Sequence, residues 1–231
     1  MPMSATLQRT GREIPTLHSG DQMTQPEFHR AYLRMSKSTK AELIEGVVYV
    51  ASPVGIEHAD MHFLFATMLG MYVLATPGVR GADNATTILG EEDEPQPDLS
   101  LRILPDFGGQ SRTEDNHIVG APELIAEIAH SSRALDLHTK RSAYRQNGVL
   151  EYLVADIEDE RLHWFDLRAD QELTPDSDGV FRVRTFPGLW IDGAALFAYD
   201  LSRLTAALNA GLASPQHVEF VAALATRRTG S

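Results

Sequence analysis

The sequence predicts an α/β or α+β fold, a sheet with helices packed on it, and three observations carry this expectation. Segments with helical spacing alternate with short runs rich in β-branched residues. The order is helix, strand, helix, several strands, helix, strands. The run at residues 124–129 is apolar on both faces apart from Glu127, as a central strand covered on two sides must be.

Taken in order, residues 1–24 mix Thr, Gly, Gln, Ser and Pro without periodicity and read as a flexible leader. Thr24 then serves as N-cap of a helix with Pro26 in its first turn and Phe28, Tyr32 and Leu33 at helical spacing. Residues 41–52 read as a strand turning at Gly46. Met61, Leu64, Met68 and Tyr72 mark one face of a long helix over residues 56–75. Residues 79–89 and 98–104 read as strands joined through the acidic turn at 90–94, and residues 105–120 as a polar loop. After the strand at 124–129, Ser131 and Ser132 offer an N-cap for a helix that stops at Gly148. Residues 152–157 and 161–167 form a hairpin about Glu158, Asp159 and Glu160, and residues 180–185 add a last strand. Leu201, Leu204, Leu208 and Leu212 mark one C-terminal helix, and Ser214 with Pro215 starts a second. The expected organisation is a leader (1–24), one main domain (25–200) and a C-terminal helical appendage (201–231).

Composition narrows the chemistry. The 231 residues are 43% hydrophobic, enough for a sizeable core. The formal net charge of -12 argues against a body coated with phosphate-binding lysines, while leaving room for a local basic groove. With no cysteine, disulfides and thiolate metal sites are excluded, and any metal is held by Asp, Glu or His. No apolar run reaches the roughly 18 residues of a membrane span, and the start lacks the apolar core of a secretory signal. A cytoplasmic protein with no membrane partner is expected.

Three charged residues stand where a core is apolar: Asp98, Glu127 and Lys140. A buried, unpaired carboxylate is costly, so Glu127 needs a partner. Asp98 and Glu127 fall on neighbouring candidate strands, where two carboxylates repel unless a cation lies between them. Carboxylate oxygens, one backbone carbonyl and several waters are what Mg²⁺ accepts. The carbonyl is assigned to Ile128. Lys140 follows Leu137 by three and precedes Tyr144 by four, which places its ammonium within reach of the carboxylates. Such a set is sufficient for phosphodiester hydrolysis by an activated water. Arg133, Arg141 and Arg145 stand near Lys140 and either meet phosphates at a groove mouth or are solvated helix charges. His58 and His62 have the i, i+4 spacing of zinc ligands, but Ala59 breaks the metalloprotease pattern.

Several segments together resemble a known family. They are residues 41–46 (AELIEG), Ser52 and Pro53 with His58 beyond them, residues 96–99 (QPDL) and residues 121–127 (APELIAE). Asp136, Lys140, Tyr144, Gly148, Val149, Glu151 and Tyr152 continue the pattern, and Phe186, Gly188 and Leu189 close it. Over residues 25–200 the chain resembles the Uma family of putative restriction endonucleases, in the PD-(D/E)XK nuclease superfamily. The resemblance implies a restriction-endonuclease-like mixed sheet flanked by helices. It also implies Mg²⁺ (or Mn²⁺) held by Asp98 and Glu127, a catalytic Lys140 moved from the strand to the following helix, and Glu42 as the family's early glutamate. Glu45 competes with Glu42, although strand alternation turns the two to opposite faces. Departures are Ala129, where the superfamily's basic pattern has lysine, and His130, where the family has a small polar residue. His58, His130, Arg133 and Tyr144 are secondary site candidates. The implied function is endonucleolytic cleavage of nucleic acid, taken as DNA, by a homodimer whose interface is the C-terminal helix pair. The alternative is a binding or regulatory module that keeps the fold without cutting.

Overall fold

A computed structural model of the chain describes residues 16–229 apart from Lys37 and Val183. The elements in chain order are α1 (Gln25–Tyr32), β1 (Ala41–Ile44), β2 (Val47–Val50), α2 (Ile56–Ala75), β3 (Val79–Asp83), β4 (Thr87–Ile88) and β5 (Leu99–Ile103). A single 3-10 turn (Pro105–Phe107) precedes β6 (Arg112–Glu114), β7 (His117–Val119) and β8 (Leu124–Ala129). A π-helical segment (Leu135–Lys140) runs into α3 (Arg141–Gln146), followed by β9 (Glu151–Asp156), β10 (Arg161–Asp166), β11 (Gln171–Leu173), β12 (Val180–Arg182) and β13 (Trp190–Asp192). Three helices end the chain: α4 (Gly193–Phe197), α5 (Leu201–Leu212) and α6 (Pro215–Thr229).

The central sheet has the order β11-β10-β9-β8-β5-β3. Its β8–β9 pair is parallel and the remaining pairs are antiparallel, so the sheet is mixed. Strand alternation divides the sheet into two apolar layers. Leu124, Ala126 and Ile128 join Leu99, Leu101, Leu153 and Trp164 in the larger core, under α2, α5 and α6. Ile125 and Ala129 face the opposite side with Tyr144, Tyr152 and Phe165. Glu127 shares that second face by parity.

Several local expectations change. Residues 79–89 are not one strand: the chain breaks at Asn84 (φ 49), and β4 leaves for a small sheet with β6 and β7. The expected loop at 105–120 contains the β6–β7 hairpin, turned by Asp115 and Asn116, both with positive φ. Such a pair is what a tight hairpin turn requires, and it is the signal that the sequence offered. The helix expected after an N-cap at Ser131 or Ser132 does begin there, with helical residues from Arg133 and Asp136 N–H donating to Ser132 O, but it winds as a π-helix over Leu135–Lys140. The last strand is a short pair, β12 with β13, rather than one run.

Residues 16–24, read as leader, lie along β2: Leu17 is buried, and Gly20 N–H donates to Val48 O at 2.8 Å. The rest of that expected leader lies outside the described residues. The C-terminal helices turn their apolar residues inward, with Leu204, Leu208 and Leu224 in the larger core. Most of the apolar stripe assigned to a dimer interface is therefore spent on the chain's own fold, with Leu201 and Val218 left exposed.

That packing yields a first prediction. Leu208→Ala, at a fully buried position, is expected to lower unfolding free energy by about 2–5 kcal/mol. Urea denaturation measures it, and a change below about 1 kcal/mol would mean that α5 is not part of the core.

Candidate active site

Extending the β5–β8 register (Leu99↔Ala126) by one pair sets Asp98 opposite Glu127. Each carboxylate accepts a backbone N–H from the other strand. Asp98 N–H donates to Glu127 Oε2 at 3.2 Å, and Ile128 N–H donates to Asp98 Oδ2 at 2.9 Å. The two acids are thus fixed by the sheet itself rather than by flexible loops.

The helix that follows β8 covers this point. Lys140 and Tyr144 are four residues apart and share a helix face. Lys140 Nζ donates to Glu127 Oε1 at 2.9 Å, and Tyr144 hydroxyl donates to the same oxygen at 2.8 Å. Lys140 Nζ also lies 3.0 Å from Glu42 Oε2 and 3.5 Å from Asp136 Oδ1. Asp136 Oδ1 is buried without a hydrogen-bond partner, while its Oδ2 accepts from Ser132 Oγ at 2.5 Å. The π-helical winding of residues 135–140 sets Asp136 and Lys140 towards the same interior point.

Glu42 arrives from a different element, the β1–β2 hairpin. Ala41 and Leu43 pack into a third apolar cluster, leaving Glu42 on the other side. The hairpin is attached by Leu43 N–H to Glu94 O (3.2 Å), Glu94 N–H to Leu43 O (2.8 Å) and Gln96 N–H to Glu42 Oε1 (2.7 Å). Gln96 is a positioning group that sequence reasoning missed. Glu45, the expected competitor, is placed elsewhere. It forms the hairpin turn with Gly46 (φ 50 and 73), is exposed, and donates its N–H to Asp93.

The charge balance is uneven. Glu42, Asp98, Glu127 and Asp136 face two ammonium groups, Lys140 and Lys40, the latter 3.8 Å from Asp98 Oδ1. Burial pushes the Glu127 carboxyl up to about 8; Lys140 opposes this, while Asp98, Asp136 and Glu42 add to it. Burial likewise raises Asp136 against the pull of Lys140. Asp98 behaves in the opposite way. Burial raises it, but His58, the Ile128 N–H and Lys40 outweigh this and hold it at about 2. Burial opposes the charge on Lys140, yet Glu127, Glu42 and Asp136 keep its pKa well above the usual lysine value. With all four ionised, the carboxylates outnumber the two cations by two negative charges, the charge of one dication, in an all-oxygen donor set of the kind Mg²⁺ takes; below about 8 the Glu127 proton would have to leave as the ion enters. The residues present fit that ion.

A cavity of about 760 Å³ opens over the cluster, with Lys40, Tyr49, His58, His62 and Asn84 in its wall. His130 also lines it, half-exposed and 3.7 Å from Glu57. Arg133 does not: it pairs with Asp156 and Asp159. Arg141 pairs with Asp170 and stacks over Phe165, and Arg145 lies 3.7 Å from Asp170. Arg133 and Arg141 are committed to the protein's own carboxylates, and Arg145 is half-exposed beside one. Lys40 and the meeting of His62 with Asp98 carried no local sequence signal, whereas Asp136 stood in the family pattern four residues before Lys140.

Residues 25–195 match the model of the Uma2 family, described as "putative restriction endonuclease". The fold is similar to the crystal structure of a putative nuclease belonging to DUF820 from Anabaena variabilis. The TM-score is 0.61 at 17% identity, over 74% of this chain and 98% of that one. No curated protein matches the chain.

Removing the cluster's central cation gives a second prediction. In Lys140→Met, Glu127, Asp136 and Glu42 lose their counter-charge, and the folded-state pKa values of Glu127 and Asp136, already raised by burial, rise further. The folded state then binds more protons than the unfolded chain above about pH 4.5, so stability falls as pH rises. The expected cost is about 3–5 kcal/mol at pH 8 and clearly less at pH 5, by urea denaturation at both. Equal costs at the two values would remove the electrostatic explanation.

Proposed function

Since the chain belongs to the Uma2 family, described as putative restriction endonuclease, we propose that it is a Mg²⁺-dependent endonuclease that hydrolyses phosphodiester bonds in DNA. The observation that carries this reading is the surplus of buried carboxylate at Asp98 and Glu127, beside a buried Lys140, at the floor of an open cavity. Asp98, Glu127 and the Ile128 carbonyl would hold the ion. When bound, Mg²⁺ (or Mn²⁺) neutralises phosphate charge and lowers the pKa of water. Lys140 Nζ orients the attacking water, anchored meanwhile by Glu127 and Glu42. Tyr144 holds Glu127 Oε1, which leaves Oε2 for the ion. Glu42 keeps the lysine protonated and in place. His58 and His130 shape the cavity wall.

A second reading, a non-cleaving module on the same fold, draws support from the arginines being paired internally and from Ala129 standing where the superfamily has lysine. Glu127→Gln separates the two, because its carboxamide keeps the shape and an acceptor for Lys140 but loses the charge. Nicking of supercoiled plasmid in Mg²⁺ is expected for the native chain and is expected to be lost in Glu127→Gln with its circular dichroism unchanged. No nicking by the native chain across a range of plasmids and RNAs would favour the module.

The ion's affinity also has a predicted pH course. Below about 8, Glu127 is protonated and must release a proton to bind, so Mg²⁺ affinity is expected to rise about tenfold per pH unit and level off above that value. Calorimetry in buffers of different ionisation enthalpy counts the proton; a flat profile between pH 6 and 9 would contradict the role of Glu127.

We infer a cytoplasmic setting and a homodimer as the natural way to address two strands. No helix among the described residues is long and apolar enough to cross a membrane. Phe63 and Leu74 on α2 are exposed apolar residues open to a partner copy. Light scattering at micromolar concentration is expected to give twice the chain mass, and a monomer mass would reject the dimer.

A further inference from the structure

Two histidines of α2 have no part in the water-orienting cluster. His58 and His62 are one helical turn apart and project from one face, their rings edge to face with centroids 5.9 Å apart. His62 Nε2 is shielded from solvent and lacks a hydrogen-bond partner, whereas buried polar atoms are generally paired. Asp83 is the carboxylate nearest to it, 3.5 Å away. His58 Nε2 lies 3.6 Å from Asp98 Oδ1, the oxygen that does not accept the Ile128 N–H. One ligand atom each from His58, His62 and Asp98 lie within 4.8 Å of one another.

We propose that His58, His62 and Asp98 form a second metal site, selective for a transition dication of the Zn²⁺ class over Mg²⁺, and that Asp98 is shared with the oxygen site beside Glu127. Imidazole nitrogens favour zinc and its neighbours, whereas Mg²⁺ takes oxygen donors. Tetrahedral zinc at about 2.0–2.1 Å from each ligand sets ligand atoms about 3.3 Å apart. The His58–Asp98 separation of 3.6 Å is near that value, and rotation of His62 closes the remainder. Asp83 lies 3.5 Å from His62 Nε2 but outside the close cluster of three. The ammonium nearest Asp98 Oδ1 belongs to Lys40, which is about one-third exposed and also bonded to Asn84, so it can turn to solvent as the cation enters. The proposal touches the hydrolytic reading only through the shared Asp98. A site of two histidines and one carboxylate keeps open positions, and its ion would lie next to the one held by Glu127 and Asp98.

The test uses Co²⁺ as a visible stand-in for Zn²⁺, titrated into the full chain in excess Mg²⁺. Visible absorption bands saturating at one equivalent and erased by Zn²⁺ are expected. His62→Gln and His58→Gln, each checked by circular dichroism, are expected to weaken Co²⁺ binding by about tenfold or more, and His62→Gln is expected to leave Mg²⁺ affinity by calorimetry within about twofold. Glu127→Gln is expected to do the reverse. Absence of Co²⁺ bands, or an unaltered Co²⁺ titration in both histidine variants, would overturn the proposal. Loss of Co²⁺ binding in the histidine variants, together with unchanged Mg²⁺ binding in Glu127→Gln, would uphold this site while sinking the oxygen site.

Discussion

The contact between the Lys140 ammonium and the carboxylates of Glu127, Glu42 and Asp136 joins three parts of the molecule that share little else. Glu127 belongs to the central sheet, Glu42 to a separate hairpin, and Asp136 with Lys140 to the π-helical segment. Deep burial of one positive charge among three acids is tolerable only while all of them stay in register. The hairpin's backbone bonds to Glu94 and Gln96 hold one acid, the β5–β8 pairing holds another, and the helix covering them brings the cation. The same demand explains why the helix widens into π winding where it does. Asp136 and Lys140 both have to face inward, and Tyr144 must follow one turn later on that side.

The mixed sheet makes this arrangement affordable. Its larger core, on the face under α2, α5 and α6, is almost wholly apolar, so stability there does not compete with the chemistry on the other. The second face is smaller and lined by tyrosines whose hydroxyls bond inward: Tyr144 to Glu127, Tyr152 to the Asp136 carbonyl. Polar groups are thereby satisfied at each step away from the acids. The site lies at the end of a rigid strand pair, and side chains from elsewhere are drawn to it.

Much of this was legible in the sequence. Glu127 interrupts an apolar run, and a charge in a run of that kind announces either a partner or a function. Lys140 and Tyr144 followed from helical spacing. What escaped depends on neighbours distant in the chain. Gln96 matters through its backbone N–H, Lys40 through the approach of a loop to Asp98, and His62 through the meeting of α2 with β3 and β5. Glu45, set apart from Glu42 by strand alternation in the sequence, stands in the turn itself, where the backbone takes positive φ at Glu45 and Gly46. An exposed Glu before a Gly was the local sign of that turn. The arginines of α3 and the segment before it have the right spacing for phosphates, but Asp156, Asp159 and Asp170 reach them first.

That prior commitment of the arginines shapes how the chain can hold a polyanion. Among the described residues, the lysines lining the cavity are Lys40 and Lys140, and the second is enclosed by acids. Affinity for nucleic acid falls with salt at about 0.9 logarithmic units per phosphate neutralised, so few such contacts mean a shallow dependence. A duplex would then be held by the shape of the cavity and by divalent ions rather than by released counterions. On the proposed nuclease reading, binding would depend only weakly on ionic strength and strongly on the supply of metal.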